Sequence, residues 1–314
     1  MSITESQVLS SPEFTVVVPV YNSSQSLEEL YERLHKVLSS LSQAWEIILV
    51  DDASSDSSFQ VMEGLRERDS RVQVIRFRRN HGQHSALMCG LKYSRGQFVF
   101  TLDDDLQHPP EEFPKLLEGM KEGYQVVIGR YDVKRHSAYR NLGSRVVNRL
   151  ISILTGKPTH LALTNIKLLS RKAVDAITAF RGEKFYLAMV LFEAIPASSV
   201  CNVDVRHQER EYGASGYTFW KSLKLMSDIL IYHTRFSFFF TLAGGILMGL
   251  TVMVLLSLKQ YTFLCSFALF LEALMVVLGM AGMYLKSVSQ DCEDPTPFLN
   301  NSLLPVTGEL VIKQ

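Results

Sequence analysis

FVFTLDDDLQHPPEE, residues 98–112, decides how the rest of the chain is read. A short apolar run ends abruptly on three carboxylates, and two prolines then forbid continuation as a strand. Adjacent carboxylates repel one another, and a cation is the usual remedy. Alternate side chains of an extended segment point the same way, so Asp103 and Asp105 can face one ion. A hard divalent ion such as Mg2+ or Mn2+ is commonly held by one or two carboxylates together with phosphate oxygens. The plainer alternative is a solvated acidic turn.

The same arrangement recurs on either side of this stretch. FTVVVPV (14–20) is a short apolar run suited to a buried strand, and EIILV (46–50) and VQVIRF (72–77) read as the next strands. Between them, Leu27, Leu30, Tyr31, Leu34, Leu38 and Leu41 repeat at helical spacing behind a capping-box sequence, Ser26-Leu-Glu-Glu29. Helices are also expected near 57–68 and over 83–94. Alternating strand and helix predicts an α/β fold with a mostly parallel sheet. Ligands of such sheets sit at the carboxyl ends of the strands, here Val20-Tyr21-Asn22, Asp51-Asp52 and Asp103-Asp104-Asp105. A carboxylate at the second of these ends can accept from a ribose hydroxyl or a base N–H. Two acidic strand ends in one sheet favour a nucleotide diphosphate bridged by metal.

Thirty-two Lys+Arg balance thirty-two Asp+Glu in 314 residues, which excludes a globally basic nucleic-acid binder. At 47% hydrophobic and 20% charged, the chain is neither disordered nor fibrous. The balance hides a basic segment: from Arg130 to Lys184 there are twelve Lys/Arg against three acids, which suits phosphate or a membrane surface. Four scattered cysteines without CxxC spacing fit neither a disulfide framework nor a zinc site. His81 and His84, without a third ligand, read as hydrogen-bonding residues of a loop and helix start.

Residues 236–258 and 262–285 are apolar on every face, and the second run is broken only by Glu272. Each is long enough to cross a bilayer core of about 30 Å as a helix. Lys221, Lys224 and Arg235 before the pair and Lys286 after it predict a hairpin whose outer flanks are cytoplasmic. The expected organisation is therefore a tail (1–13), a cytosolic domain (14–216), an interfacial helix region (217–235), a transmembrane hairpin (236–285) and a cytosolic tail (286–314), in the inner (plasma) membrane. An ionised Glu272 within a span costs about 2.5 kcal/mol or more. Glu272 is therefore expected to be neutral and to donate a hydrogen bond, within the hairpin (Thr241 or Thr251 offers a hydroxyl) or across a homo-oligomer interface.

VVVPVYN (16–22), LVDDAS (49–54), RNHGQHSALMCGL (79–91) and TLDDDLQHPPEE (101–112) together resemble the signature blocks of family-2 glycosyltransferases. They are similar in particular to the polyprenyl-phosphate sugar transferases, among them the dolichyl-phosphate mannose synthases and the undecaprenyl-phosphate 4-deoxy-4-formamido-arabinose transferases. The resemblance runs from about Phe14 to Leu285. It implies a GT-A nucleotide-sugar domain that takes a nucleotide sugar, leaning to uridine, and a polyprenyl phosphate at the membrane lipid surface. It further implies that Pro19, Tyr21, Val50 and Asp52 line the base and ribose. Asp103 and Asp104 would flank the ribose and diphosphate, and Asp103, Asp105 and Gln107 would hold Mg2+ or Mn2+. Arg130 stands where the family has a phosphate-binding arginine. Arg140 and Arg210 are further candidates for the lipid phosphate, and with Asp105 these arginines would carry catalysis.

Four positions depart from the family pattern. Ser23 replaces a frequent Glu, Leu161 falls where an Asp has been suggested as a base, Lys167 replaces an Arg, and Ser215-Gly216-Tyr217 lacks a lysine. The losses gather on the acceptor side. The chain thus reads as an inverting sugar transferase; a homologue that holds a nucleotide sugar without transferring it is the second reading. A processive polysaccharide synthase is disfavoured, since no QxxRW sequence occurs.

Overall fold

The structure is a computed structural model that describes residues 11–131, 152, 157–180, 186–206, 208, 241–251 and 270–282. The chain divides into two compact units, the second of which begins its long segment at Gly216.

The first unit is built on one seven-stranded sheet. Its elements are β1 (Phe14–Val20), α1 (Leu27–Leu41), β2 (Trp45–Asp51), α2 (Ser58–Arg68), β3 (Val72–Arg76), α3 (Gln83–Tyr93), β4 (Phe98–Thr101), a 3-10 turn (Pro110–Glu112), α4 (Phe113–Lys121), β5 (Val126–Tyr131), β6 (Lys167–Ser170), α5 (Arg171–Thr178), α6 (Leu187–Ala194) and β7 (Val200–Val205). The strand order is β3-β2-β1-β4-β6-β5-β7. β3, β2, β1 and β4 are mutually parallel, β6 runs antiparallel to both β4 and β5, and β7 is parallel to β5. The sheet is mostly parallel, as the strand–helix alternation predicts.

Helices cover both faces, which is why the strands lack polar alternation. Val16, Val18 and Val20 of β1 pack with Leu30, Leu34 and Leu38 of α1 and Phe113 of α4 on one side. Val17, Ile48 and Val50 pack with Leu87 and Leu91 of α3 and Val174 of α5 on the other. Fully burying each such side chain contributes about 1.5–3 kcal/mol. The close seat of α3 on β1 depends on Gly90, where an added Cβ would stand 2.2 Å from Val17 Cγ1.

From β1 the chain winds outward through β2 and β3, then returns to the other side of β1 as β4. The crevice between the carboxyl ends of β1 and β4 is therefore the switch point at which α/β sheets bind ligands. Ser26 does not form the expected capping box. Its hydroxyl donates instead to the backbone carbonyl of Asp104 at 2.6 Å, and no side chain caps α1. The serine is spent on tying the start of α1 to the acidic loop.

In the second unit, helices are described over 241–251 (α7) and 270–282 (α8). They lie side by side: a Cβ on Gly279 would meet Thr241, and one on Gly244 would meet Val276 at 3.3 Å. The Thr251 hydroxyl donates to Glu272 Oε1 at 2.7 Å, so the contact falls within the pair as expected, but with Glu272 as acceptor rather than as the expected donor. Among the described residues, no helix is long and apolar enough to cross a membrane. The remaining parts of the two apolar runs, and the expected interfacial region 217–235, lie outside the described residues.

Candidate active site

Three strand ends converge at the crevice, and each is followed by a non-glycine residue in the left-handed region: Asn22 (φ 55°) after β1, Ala53 (φ 59°) after β2 and Leu106 (φ 60°) after β4. Such backbone is costly and is held only where the surroundings over-determine it. Here side chains do the holding. Ser55 N and Oγ both donate to Asn22 Oδ1, while Ser54 Oγ accepts from Asn22 N at 3.0 Å. The first two strand ends are thereby laced together.

Asp52, at the end of β2, is buried, and its carboxylate accepts from His81 N at 2.7 Å and Gly82 N at 2.8 Å. Gly82 takes φ 90°, which lets the chain turn these two amides toward the carboxylate before α3 begins. Burial nonetheless pushes the Asp52 pKa up to about 6, the two amide bonds opposing it. His84, one turn further on, packs edge-on against Tyr186 and is pushed down to about 4 by burial, so it is neutral at pH 7. His81 precedes α3 and His84 lies in its first turn, but the buried His84 Nδ1 meets no hydrogen-bond partner among the described residues, so the hydrogen-bonding role expected of it is not seen.

The acidic triplet divides its labour. Asp103 is gripped on both oxygens, by Gln83 Nε2 at 2.6 Å and Asn165 Nδ2 at 2.8 Å, and burial raises its pKa. Asp104 accepts from Tyr21 N at 3.1 Å, bridging the β1 and β4 ends, and burial raises it to about 6. Asp105 is turned inward, 9% exposed, and accepts from Gln107 N at 3.2 Å. Asp103, Asp105 and His108 each bring one potential ligand atom to within 4.8 Å of the others. Two carboxylates and a buried imidazole form a donor set that fits a divalent ion. Gln107 joins through its backbone, its carbonyl also accepting from Gln208 N.

The other expected residues are distributed as follows. Tyr21 stands 51% exposed over the crevice, an aromatic face available to a base. Pro19 and Val50 are register partners across β1 and β2. Both are buried, and Val50 lies within the core, so a nucleotide would meet its backbone rather than its side chain. Arg130, on β5, makes a two-pronged ion pair with Asp204 of β7, its Nε 2.7 Å from Oδ1. Arg140 and Arg210 lie outside the described residues, as do 215–217. Leu161 is 4% exposed and packed in the core, so no acid stands at that position. Lys167 is buried beneath Asp103, its ammonium on the Thr164 carbonyl; burial lowers its pKa to about 8 against the opposing pull of Asp103.

Sequence reasoning missed Gln83, Asn165 and His108. Gln83 and His108 lie inside the quoted blocks, but nothing in their spacing says which carboxylate they meet. Asn165 comes from 62 residues beyond Asp103 in the chain and carries no local signal.

A doubly covered, mostly parallel sheet with an acidic switch-point crevice is the GT-A type of α/β architecture. The chain belongs to glycosyl transferase family 2, whose sequence pattern residues 15–178 match. It is 40% identical over 217 residues to a protein of Pseudomonas paraeruginosa (strain DSM 24068 / PA7) named undecaprenyl-phosphate 4-deoxy-4-formamido-L-arabinose transferase. That match covers 69% of this chain and 63% of the relative, so the chain aligns with just under two thirds of it. A protein of the same name from Proteus mirabilis (strain HI4320) is 33% identical over 293 residues, covering 88% of this chain and 89% of the relative. Among solved structures, glucosyl-3-phosphoglycerate synthase from Mycobacterium tuberculosis in complex with Mn2+ and UDP-glucose superposes with a TM-score of 0.53 at 19% identity. That superposition covers 71% of this chain and 78% of the other, a likeness of fold.

Proposed function

We propose that this protein moves a sugar from a nucleotide diphosphate sugar, most simply UDP-linked, to a polyprenyl phosphate, with inversion at the anomeric carbon. The observation that carries the reading is the convergence at one crevice of Tyr21, Asp52 and Asp104 with the Asp103–Asp105–His108 donor set. The relatives named for undecaprenyl phosphate support that lipid as acceptor. The likeness to a fold solved with Mn2+ and UDP-glucose supports the donor class.

In this reading Tyr21 stacks on the base and Asp52 accepts from the base or ribose. Asp104, already anchored to Tyr21 N, orients the ribose side of the donor. Asp103 and Asp105, with His108 or Gln107, would hold Mg2+ or Mn2+. That ion, when bound, neutralises charge on the departing diphosphate. Arg130, with Arg140 and Arg210, would grip phosphate oxygens and align the acceptor. No general base is needed, since a lipid phosphate is already an anion at pH 7. A core leucine at position 161 is therefore compatible with turnover.

The apolar runs 236–258 and 262–285 would form the membrane hairpin, with the catalytic unit at the cytosolic face of the inner membrane. The described parts support this: Phe270 (61% exposed), Ile246 (58%) and Leu278 (57%) offer apolar side chains outward, as lipid contact requires. Incubating the detergent-purified protein with undecaprenyl phosphate and a panel of nucleotide sugars tests the proposal. A lipid-linked sugar is the expected product. Nucleotide-sugar binding without any lipid-linked product would leave the second reading, a holding rather than a transferring protein, which buried Leu161 favours.

A further inference from the structure

We infer that His108 supplies an imidazole nitrogen to the divalent ion, with Tyr131 as its positioning residue, and that this nitrogen biases the site toward Mn2+ over Mg2+. The inference rests on the reading above only in needing a metal at Asp103 and Asp105.

The backbone is arranged to bring this ring inward. Leu106, at φ 60°, reverses the chain after Asp105, and Pro109, at φ −64° and ψ 125°, holds the segment extended before the 3-10 turn. His108 is 5% exposed and falls beside Asp103 and Asp105, with its ligand atom inside the 4.8 Å group. Bonds of about 2.1 Å put opposite ligands of one ion about 4.2 Å apart, within a small side-chain rotation of that spacing. The Tyr131 hydroxyl meets His108 Nε2, and the two rings lie 5.5 Å apart at 63°. Tyr131 is the last residue of β5, a different part of the sheet from the β4 loop that carries the histidine. A metal-binding histidine characteristically donates its second ring N–H to an oxygen, which fixes the tautomer and the ring plane. Tyr131, in contact with Nε2, would fix the ring plane and tautomer from which an imidazole nitrogen serves the ion.

The consequence is selectivity. Mg2+ asks for oxygen ligands in near-ideal octahedral geometry, whereas first-row transition ions accept imidazole nitrogen. Among these, Mn2+ also favours the carboxylate and phosphate oxygens that make up the rest of such a site.

The test uses the full-length protein in detergent with Mn2+ and UDP, read by electron spin-echo envelope modulation. Modulation from a directly bound imidazole 14N is expected, replaced by a 15N signal after [15N]histidine labelling and lost in His108→Gln. Tyr131→Phe should keep the nitrogen signal but weaken Mn2+ binding about tenfold. In competition titrations, His108→Gln should lose most of the preference for Mn2+ over Mg2+. Bound Mn2+ without nitrogen modulation, modulation that survives in His108→Gln, or an unchanged Mn2+/Mg2+ ratio would overturn the role of His108 and leave the metal reading standing. No bound Mn2+ even with UDP present would overturn the metal reading as well.

Discussion

Arg130 and Asp204 face each other as register partners on β5 and β7, and their side chains close a two-pronged ion pair at 2.7 and 3.1 Å. Both are about half exposed, so water screens the pair and it adds little to stability. What it does is hold the guanidinium fork in one orientation at the rim of the sheet. If Arg130 serves the reacting phosphates, Arg130→Ala should lower kcat by about 100-fold, the scale of losing one aligned electrostatic donor. Asp204→Asn should keep kcat within about threefold, because charge on the arginine remains. Equal small effects in a radiolabelled-sugar transfer assay would return Arg130 to a surface role.

Asp105→Ala should abolish metal-dependent transfer, because one ligand of the ion is lost and the diphosphate charge stays uncompensated. Asp103→Ala should do the same and also weaken donor binding, since it releases Gln83 and Asn165 from their shared carboxylate. Transfer at the parent rate by Asp105→Ala, assayed without added divalent metal, would refute the assignment.

Donor binding should weaken as pH falls through about 6. Burial raises both Asp52 and Asp104 to about 6, so both protonate there rather than near 4 and lose acceptor capacity. Fold stability should move the opposite way. With a folded pKa above the unfolded value of 3.8, the native state takes up more protons between about pH 4 and 6, so these two groups favour folding as pH falls through that window. Calorimetric titration with UDP and thermal melts over pH 5–8 separate the two trends. Affinity flat down to pH 5 would show that neither carboxylate is used ionised.

Gly96→Ala should cost about 1–3 kcal/mol by overpacking. An added Cβ would stand 2.6 Å from Thr15 N, which is backbone and cannot yield as a side-chain tip could. A lowered melting temperature with unchanged UDP affinity is the expected pattern, because Gly96 lies before the amino end of β4, away from the crevice.

Glu272→Leu should loosen the α7–α8 pair, since it removes the 2.7 Å contact with Thr251. Glu272→Gln keeps a polar partner and should preserve it. A disulfide cross-link between cysteines placed at Gly244 and Val276 reports the pairing; equal cross-linking in both variants would leave Glu272 without this role.

The class of fold, and the end of the sheet expected to carry the chemistry, are legible in the residues themselves. Runs such as FTVVVPV and EIILV are apolar without alternation, and only strands covered on both faces tolerate that. The helices between them then force parallel pairing and put the chemistry at the carboxyl ends, on Tyr21, Asp52 and the acidic triplet. Local pattern failed where a side chain's partner lay far along the chain. The Ser26-Leu-Glu-Glu29 sequence favours a capping box, yet the Ser26 hydroxyl has a better acceptor in the Asp104 carbonyl, 78 residues away, that only folding delivers. In the same way, tertiary structure alone decided that Asn165 clamps Asp103, that Asp204 holds Arg130, and that Tyr131 meets His108 beside two carboxylates. Hydrogen bonds and ligand sets depend on distances of a few ångströms between strands. Those distances are set by strand order and register, here the insertion of antiparallel β6 between β4 and β5, and no local periodicity encodes that insertion.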